Sequence, residues 1–95
     1  MIKHIVMWQF NEENKEENMA KAKEKLESLV GKIEGLLTLN IYDNVNEKNE
    51  YDLLLETAHP SMEDVNFYQA HPDHKEVSKF IRSVIDKRGC VDFEY

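Results

Sequence analysis

Pro72 is the residue that most constrains how this chain can fold. It lies inside the heptapeptide Tyr-Gln-Ala-His-Pro-Asp-His, residues 68–74, between two segments whose apolar residues recur at helical spacing. The residue before a proline avoids the helical region, so one helix should end near Ala70. Proline donates no backbone hydrogen bond and fits the first turn of a helix, so a second helix should begin at Pro72. The sequence therefore predicts a change of direction here, with helix on both sides.

The same heptapeptide carries side chains that can do chemistry. His71 should occupy the N-cap position of the second helix, and His74 should lie in its first turn. That turn has unpaired N–H groups and the positive end of the helix dipole, which favours an anionic oxygen and disfavours an imidazolium. A neutral imidazole is what a general base requires. Two interpretations follow: a polar cluster that binds an oxyanion or moves a proton, or a kinked helical hairpin whose histidines cap and fill space.

The composition bounds the class of protein. The chain has 95 residues, which predicts one domain over residues 1–95. A domain of this size often gains stability from a partner subunit. Its formal net charge of −7 argues against nucleic acid or an anionic membrane as partner. A single cysteine, Cys90, permits no internal disulfide and fits a reducing cytoplasm. We find no signal peptide and no apolar run of membrane-spanning length.

Four segments alternate at the spacing of β-strands, namely residues 2–10, 36–44, 51–58 and 90–95. In the first segment one face carries Ile2, His4, Val6, Trp8 and Phe10. His4 is the one polar residue on that face. The polar tetrapeptide 46–49 between the second and third segments predicts a hairpin loop, so these two strands should pair antiparallel.

The helical segments are residues 14–30, 62–70 and 72–87. Asn14 with Glu17 resembles a capping box at the start of the first, and Ser61 with Asp64 does so for the second. The apolar stripe of the first helix is Met19, Ala22, Leu26, Leu29, Val30 and Ile33. Gly31 and Gly35 are expected to end that helix and turn the chain, and Gly89 to end the last connection.

The predicted order β-α-β-β-α-β gives the fold class α+β with a ferredoxin-like arrangement. In that arrangement the helices cover one face of a four-stranded antiparallel sheet. The other face would carry the apolar residues Ile5, Met7, Leu36, Tyr42 and Leu54. An exposed apolar patch marks an interface, and two-fold dimers are the commonest oligomers. We therefore expect a homodimer that packs sheet to sheet.

Three stretches carry a family resemblance. They are Lys-His-Ile-Val at 3–6, the run 61–74 with its Tyr-x-x-His-Pro-x-His core, and Val-Asp-Phe at 91–93. Together they resemble the Dabb family, the stress-responsive dimeric α/β-barrel domains. The resemblance covers essentially the whole chain. It implies a ferredoxin-like fold whose dimers pack their sheets into a barrel.

The resemblance also implies candidate site residues. A plant member of the family closes a linear polyketide by intramolecular aldol condensation without a cofactor. Its tyrosine and histidines match Tyr68, His74 and His4. The implied roles are His74 as base, Tyr68 as hydrogen-bond donor to the enolate, and His4 as a positioning group across the pocket. No cofactor and no metal are implied. The plant enzyme has a further pocket histidine on its third strand, and Leu53 stands at that position here.

Three functions remain open from the sequence. The first is a cofactor-independent cyclase or lyase that acts on a small carbonyl or polyketide-like compound. The second is a non-catalytic dimeric stress protein or small-ligand-binding protein. The third, a cofactor-free monooxygenase, rests on analogy between folds alone.

Other reactive residues have plainer interpretations. Trp8 is expected in the core, His59 in a turn before Pro60, and Cys90 buried as a small apolar residue. A metal site built from His4, His71 and His74 is conceivable, but zinc sites usually show a clearer ligand set.

Overall fold

The computed structural model describes residues 1–95 as a sheet with helices on one face. Its elements are β1 (Ile2–Phe10), α1 (Lys15–Glu27), β2 (Thr38–Asp43), β3 (Leu53–His59), α2 (Met62–Ala70), α3 (Pro72–Ser83) and β4 (Ile85–Glu94). The sheet order is β2-β3-β1-β4, and every pair is antiparallel. With α2 and α3 as the two halves of the second helical segment, this is the predicted ferredoxin-like arrangement.

Strand β1 is central, and its alternation is regular. Its odd-numbered residues are half-buried, while its even-numbered residues, including His4, face the helices and are buried. His4 lies opposite Thr57 of β3 and Asp92 of β4 in the two ladders. A polar side chain is thereby fixed in the middle of the sheet, beneath the helical layer.

The predicted break at Pro72 is confirmed. Helix α2 ends at Ala70 and α3 begins at Pro72, while His71 between them is extended with φ −62° and ψ 135°. The Nδ1 atom of His71 accepts a hydrogen bond from the Asp73 amide at 3.1 Å, which caps α3. The predicted cap at Ser61 is also present, since its side chain accepts from the Asp64 amide.

The start and end of α1 differ from the prediction. Asn14 has φ +56°, and its side chain makes no capping hydrogen bond, so the capping-box prediction is wrong. The helix ends at Glu27, and tight turns follow in which the Leu29 amide bonds to the carbonyl of Leu26. These turns keep Leu29 buried but rotate Val30 outward, where 58% of it is exposed.

The boundary between α3 and β4 was also predicted wrongly. Helix α3 ends at Ser83 rather than residue 87, and β4 begins at Ile85 rather than Cys90. Strand β4 pairs with β1 along the whole length of β1. This pairing satisfies the backbone groups of β1, so β4 extends further toward α3 than its local sequence predicts. Gly89 therefore lies within the strand, opposite Met7.

Strands β2 and β3 are displaced by a few residues from their predicted bounds. Leu36 was expected on the outer face of β2, but it lies in the turn before that strand and packs against the core. Its amide bonds to the carbonyl of Ile33, and Gly35 before it has φ +86°, so strand alternation does not apply there. Strand β3 continues one residue further than predicted, to His59.

The face of the sheet opposite the helices is apolar and has no cover within one chain. Ile5, Met7 and Leu54 are half-buried on it. Tyr42 and Val91 are more than half exposed there. None of the helices combines the length and apolar content that crossing a membrane requires.

Candidate functional site

Three imidazoles and one phenol meet between the sheet and the hairpin of α2 and α3. His4 comes from β1, His59 from the end of β3, Tyr68 from the last turn of α2 and His74 from the first turn of α3. The Tyr68 ring centroid lies 4.4 Å from that of His74, 5.2 Å from that of His59 and 6.1 Å from that of His4. The structure thus brings all three predicted site residues into one cluster and adds His59 to them.

His4 is held by a carboxylate from the neighbouring strand. Its Nδ1 atom hydrogen-bonds to the Asp92 side chain, which accepts, and 1% of His4 is exposed. The Sγ atom of Cys90 lies 3.8 Å from the same nitrogen. A carboxylate partner on Nδ1 fixes the ring orientation and places a proton on that nitrogen. Asp92 is therefore a supporting residue that the sequence analysis did not assign.

His59 has both ring nitrogens occupied. Nδ1 donates to the Gly35 carbonyl at 2.9 Å, and Nε2 accepts from the Thr57 hydroxyl at 2.9 Å. Burial lowers the pKa of His59, and the hydrogen bond to Gly35 opposes that effect in part. His59 was expected in a turn, which is wrong: it is fully buried at the end of β3. Continuing the inward alternation of Leu53, Leu55 and Thr57 by one more step, past the predicted end of the strand at Ala58, predicts a buried His59.

His74 is oriented by the chain that precedes it. Its Nδ1 atom donates to the Gln69 carbonyl at 3.2 Å, across the break at Pro72. Burial lowers the pKa of His74, the hydrogen bond to the Gln69 carbonyl opposes that effect in part, and the neighbouring His4, Arg88 and Arg82 lower the pKa further. The ring is neutral at neutral pH as a result, and Nε2 is the nitrogen that can accept a proton.

Tyr68 has a buried hydroxyl with no hydrogen-bond partner in the chain. Burial raises the pKa of this phenol, so it stays protonated and can donate. Leaving a buried polar group unpaired costs about 1–3 kcal/mol. Native proteins rarely retain such a group without a reason.

A narrow cleft with a volume of about 30 Å³ lies beside the cluster and opens to solvent. Its walls include Trp8 and Ile81, and its polar lining includes His4, His74 and Ser78. Tyr68 does not line it, because the ring lies behind those of His4 and His74. Two of the three predicted site residues therefore reach the cleft directly.

The remaining reactive residues lie apart from this cleft or have another role. His71 caps α3, and its ring lies 6.0 Å from that of Phe67, outside the cluster. Cys90 is exposed rather than buried, and it lies on β4, an edge strand of the sheet. The donor atoms of Cys90, His4 and Asp92 lie within 4.8 Å of one another, a mixed set of ligand types that zinc accepts. In the structure the Nδ1 atom of His4 is already bonded to Asp92.

The arrangement is suited to moving protons beside a carbonyl group. The rings of His4 and His74 line the cleft, each with Nδ1 engaged in a hydrogen bond, and the protonated phenol of Tyr68 packs against the ring of His74. Such a set can take a proton from carbon and stabilise the oxyanion that forms.

Comparison with known proteins gives the family. The family described as Stress responsive A/B Barrel Domain (Dabb) matches residues 2–95. None of the curated proteins matches the chain. A dimeric protein of unknown function with a ferredoxin-like fold from Bacteroides fragilis is 30% identical, with a TM-score of 0.91 over 99% of this chain and 95% of that one.

Two plant structures are similar as well. An Arabidopsis thaliana protein is 24% identical, with a TM-score of 0.89 over 100% of this chain and 95% of that one. A hydroxynitrile lyase from Passiflora edulis is 11% identical, with a TM-score of 0.86 over 97% and 90% of the two chains. Likeness at these identities shows the fold alone. Because its family profile covers nearly the whole sequence, the chain belongs to the Dabb family of stress-responsive A/B barrel domains.

Proposed function

We propose that this protein is a cofactor-independent enzyme of the cyclase or lyase type that acts on a small carbonyl or polyketide-like compound. The observation that carries the proposal is the buried Tyr68 hydroxyl, which has no partner and stands against the ring of His74. A donor kept protonated and unpaired beside a neutral imidazole is the pair of groups that enolate chemistry needs.

The proposed step is an intramolecular aldol addition. The Nε2 atom of His74 takes a proton from the carbon next to a carbonyl, and the electron pair moves to the carbonyl oxygen. Tyr68 donates a hydrogen bond to that oxygen after the His74 ring shifts or the substrate reaches past it. The enolate carbon then bonds to a second carbonyl carbon of the same molecule. The new alkoxide takes the proton back from His74, so no outside reagent is consumed.

His4 is proposed to position the substrate. It lines the cleft from the sheet side, and Asp92 holds its tautomer. Its Nε2 atom can accept a hydrogen bond from an enol or a hydroxyl group of the substrate. A fold neighbour from Passiflora edulis is a hydroxynitrile lyase, so this architecture can carry lyase chemistry.

We also propose that the protein works as a homodimer joined by the outer face of the sheet. Similar proteins from Bacteroides fragilis and Thermobifida fusca are described as dimeric. The uncovered face presents Ile5, Met7 and Val91 side by side, which is the kind of apolar patch that a second copy covers.

With one cysteine and no internal disulfide, a reducing cytoplasm is the proposed compartment.

The proposal is tested with a linear diketone, 2,6-heptanedione, in heavy water. Proton abstraction would appear as deuterium exchange beside the carbonyls, and ring closure as a cyclic product, both followed by NMR. We expect His74→Ala and Tyr68→Phe to abolish both signals while the protein stays folded. His71→Asn, which retains an acceptor at the N-cap outside the cluster, is the control and should keep them.

Two results would contradict the enzyme proposal. One is full exchange and cyclisation in both His74→Ala and Tyr68→Phe. The other is saturable binding of carbonyl compounds with neither exchange nor cyclisation, which would establish the alternative of a small-ligand-binding protein.

A further inference from the structure

A positively charged groove lies at the mouth of the cleft. Lys75, Lys79 and Arg82 follow one another at intervals of four and three residues, so they lie on one side of α3, and Ser78 lies beside them. Arg88 of β4 closes the other side. No aspartate or glutamate lines this groove.

The four cations of the groove are not neutralised by the protein. None of Lys75, Lys79, Arg82 and Arg88 lies within 4.0 Å of a carboxylate oxygen, whereas five other lysines form ion pairs. The chain has 19 acidic and 12 basic residues, and its two arginines are both in this groove. Like charges at this spacing on a helix repel one another and destabilise it. A ligand of negative charge would relieve that repulsion.

The groove is continuous with the cleft. His74, Ser78, Arg82 and Arg88 line both. An anionic group held between the two guanidinium groups would therefore leave the carbon chain attached to it beside His74. The groove supplies charge and the cleft supplies apolar walls, which together fit a molecule with one charged end.

We propose that the substrate is a carbonyl compound with an oxyanion, carboxylate or phosphate, which Arg82 and Arg88 bind while its carbonyl end enters the cleft. This inference rests on the proposed function, because the carbonyl end is assigned from it. A guanidinium presents paired N–H donors that match the two oxygens of a carboxylate or phosphate. Lys75 and Lys79 add positive potential along the path of approach.

Binding of an anion would change the basicity of His74. His74 faces His4 of β1, Tyr68 of α2, and the two guanidinium groups of Arg82 and Arg88. The guanidinium charges help to keep His74 neutral when the site is empty. A bound oxyanion offsets those charges, so the pKa of His74 rises and the ring becomes a stronger base once the substrate is in place.

The experiment titrates the protein with three probes at constant ionic strength: pyruvate, inorganic phosphate and the neutral ketone acetone. NMR follows the side-chain N–H signals of Arg82 and Arg88 and the pH titration of the His74 ring. We expect an anion, but not acetone, to shift the arginine signals and to raise the pKa of His74. The tighter of the two anions identifies whether the substrate group is a carboxylate or a phosphate.

Substitutions distinguish anion binding at this groove from a general attraction of anions to positive charge. The double substitution Arg82→Gln with Arg88→Gln should weaken anion binding by about tenfold or more, since hydrogen bonds between charged groups are lost. The control is Lys48→Gln, which removes an exposed, unpaired lysine from the loop at residues 46–49 and should change binding less than about twofold. Equal melting temperatures would show that all three proteins are folded.

Two outcomes overturn the inference: neither anion binds saturably, or the double variant binds them as tightly as the unaltered protein. The experiments distinguish failure of the anion site from failure of the proposed function. If 2,6-heptanedione is turned over through His74 but anions do not bind, only the anion site is wrong. If pyruvate or phosphate binds through Arg82 and Arg88 but turnover does not depend on His74, only the proposed function is wrong.

Discussion

The rings of Tyr68 and His74 pack with their centroids 4.4 Å apart and their planes inclined by 54°, although the two residues belong to different helices. In one straight helix, six residues advance about 9 Å along the axis and about 240° around it, which would point these side chains apart. The extended backbone of His71 removes that separation. The break before Pro72 is therefore the feature that assembles the candidate site.

Removal of the Tyr68 hydroxyl should not destabilise the protein. That oxygen is buried without a partner, so Tyr68→Phe removes an unsatisfied group and keeps the ring packing. We expect the free energy of unfolding to stay equal or to rise by about 1 kcal/mol. Tyr68→Ala should instead lower it by about 3–5 kcal/mol, because it leaves a cavity. Urea unfolding measures both, and a clear loss of stability in Tyr68→Phe would show that the hydroxyl has a partner.

Stability should fall in mild acid because of the buried histidines. Burial lowers the pKa of His59 and of His74 in the folded state, whereas an unfolded imidazole has a pKa of about 6.5. The unfolded chain then binds more protons, so the free energy of unfolding decreases as pH falls below about 6.5 and levels off below the folded pKa values.

The comparison that checks this effect uses His59→Gln. Because carboxylates can also reduce stability in acid, the loss between about pH 7.5 and about pH 5 is measured in both proteins at one protein concentration. His59→Gln should lose less over that range. An equal loss in the two proteins would show that His59 does not contribute.

A charge on the outer sheet face should separate the proposed dimer. Val91 is 57% exposed in one chain and lies opposite Ile5, so Val91→Glu places a carboxylate in the apolar patch. We expect light scattering to change from about twice the chain mass to one chain mass. Val45→Glu is the control, since Val45 is 95% exposed outside the sheet. Dimers in both variants, or monomers of the unaltered protein, would contradict this interface.

The two glycines after α1 should respond differently to substitution. Gly31 and Gly35 have φ of +81° and +86°, so Gly31→Ala and Gly35→Ala each add backbone strain of about 1–2 kcal/mol. A Cβ at Gly35 would also lie 2.7 Å from Oδ1 of Asp64, whereas one at Gly31 would meet nothing within 4 Å. We therefore expect Gly35→Ala to be the more destabilising by about 1 kcal/mol or more in urea unfolding. The Gly35 carbonyl also accepts from His59, so NMR signals of that ring should shift only in Gly35→Ala.

Local rules made several parts of this structure predictable. The bounds of β1 and α2, the start of α3 at Pro72 and the inward direction of His4 follow from alternation, capping and the sterics of proline. These effects act within a few residues, so they can be identified in the sequence without knowledge of the fold.

Other boundaries were decided by partners that are distant in sequence. Residues 85–87 were predicted to be helical but form strand, since they complete the ladder beside β1. His59 looked like a turn residue before Pro60, yet its hydrogen bonds to Thr57 and Gly35 hold it inside. In both cases tertiary hydrogen bonds outweighed the local preference. Leaving a buried backbone or side-chain polar group unpaired costs more free energy than an unfavourable secondary-structure propensity does.

The sequence by itself determined the Tyr-x-x-His-Pro-x-His element, the break within it and the identity of the candidate residues Tyr68 and His74. Only the tertiary structure placed Asp92 against His4, which lies 88 positions away in the chain, and Arg88 beside the helix face that carries Arg82. The physical reason is register. The antiparallel pairing of β4 with β1 sets which of its residues lie over the cleft, and that pairing depends on hydrogen bonds between distant segments rather than on any local pattern.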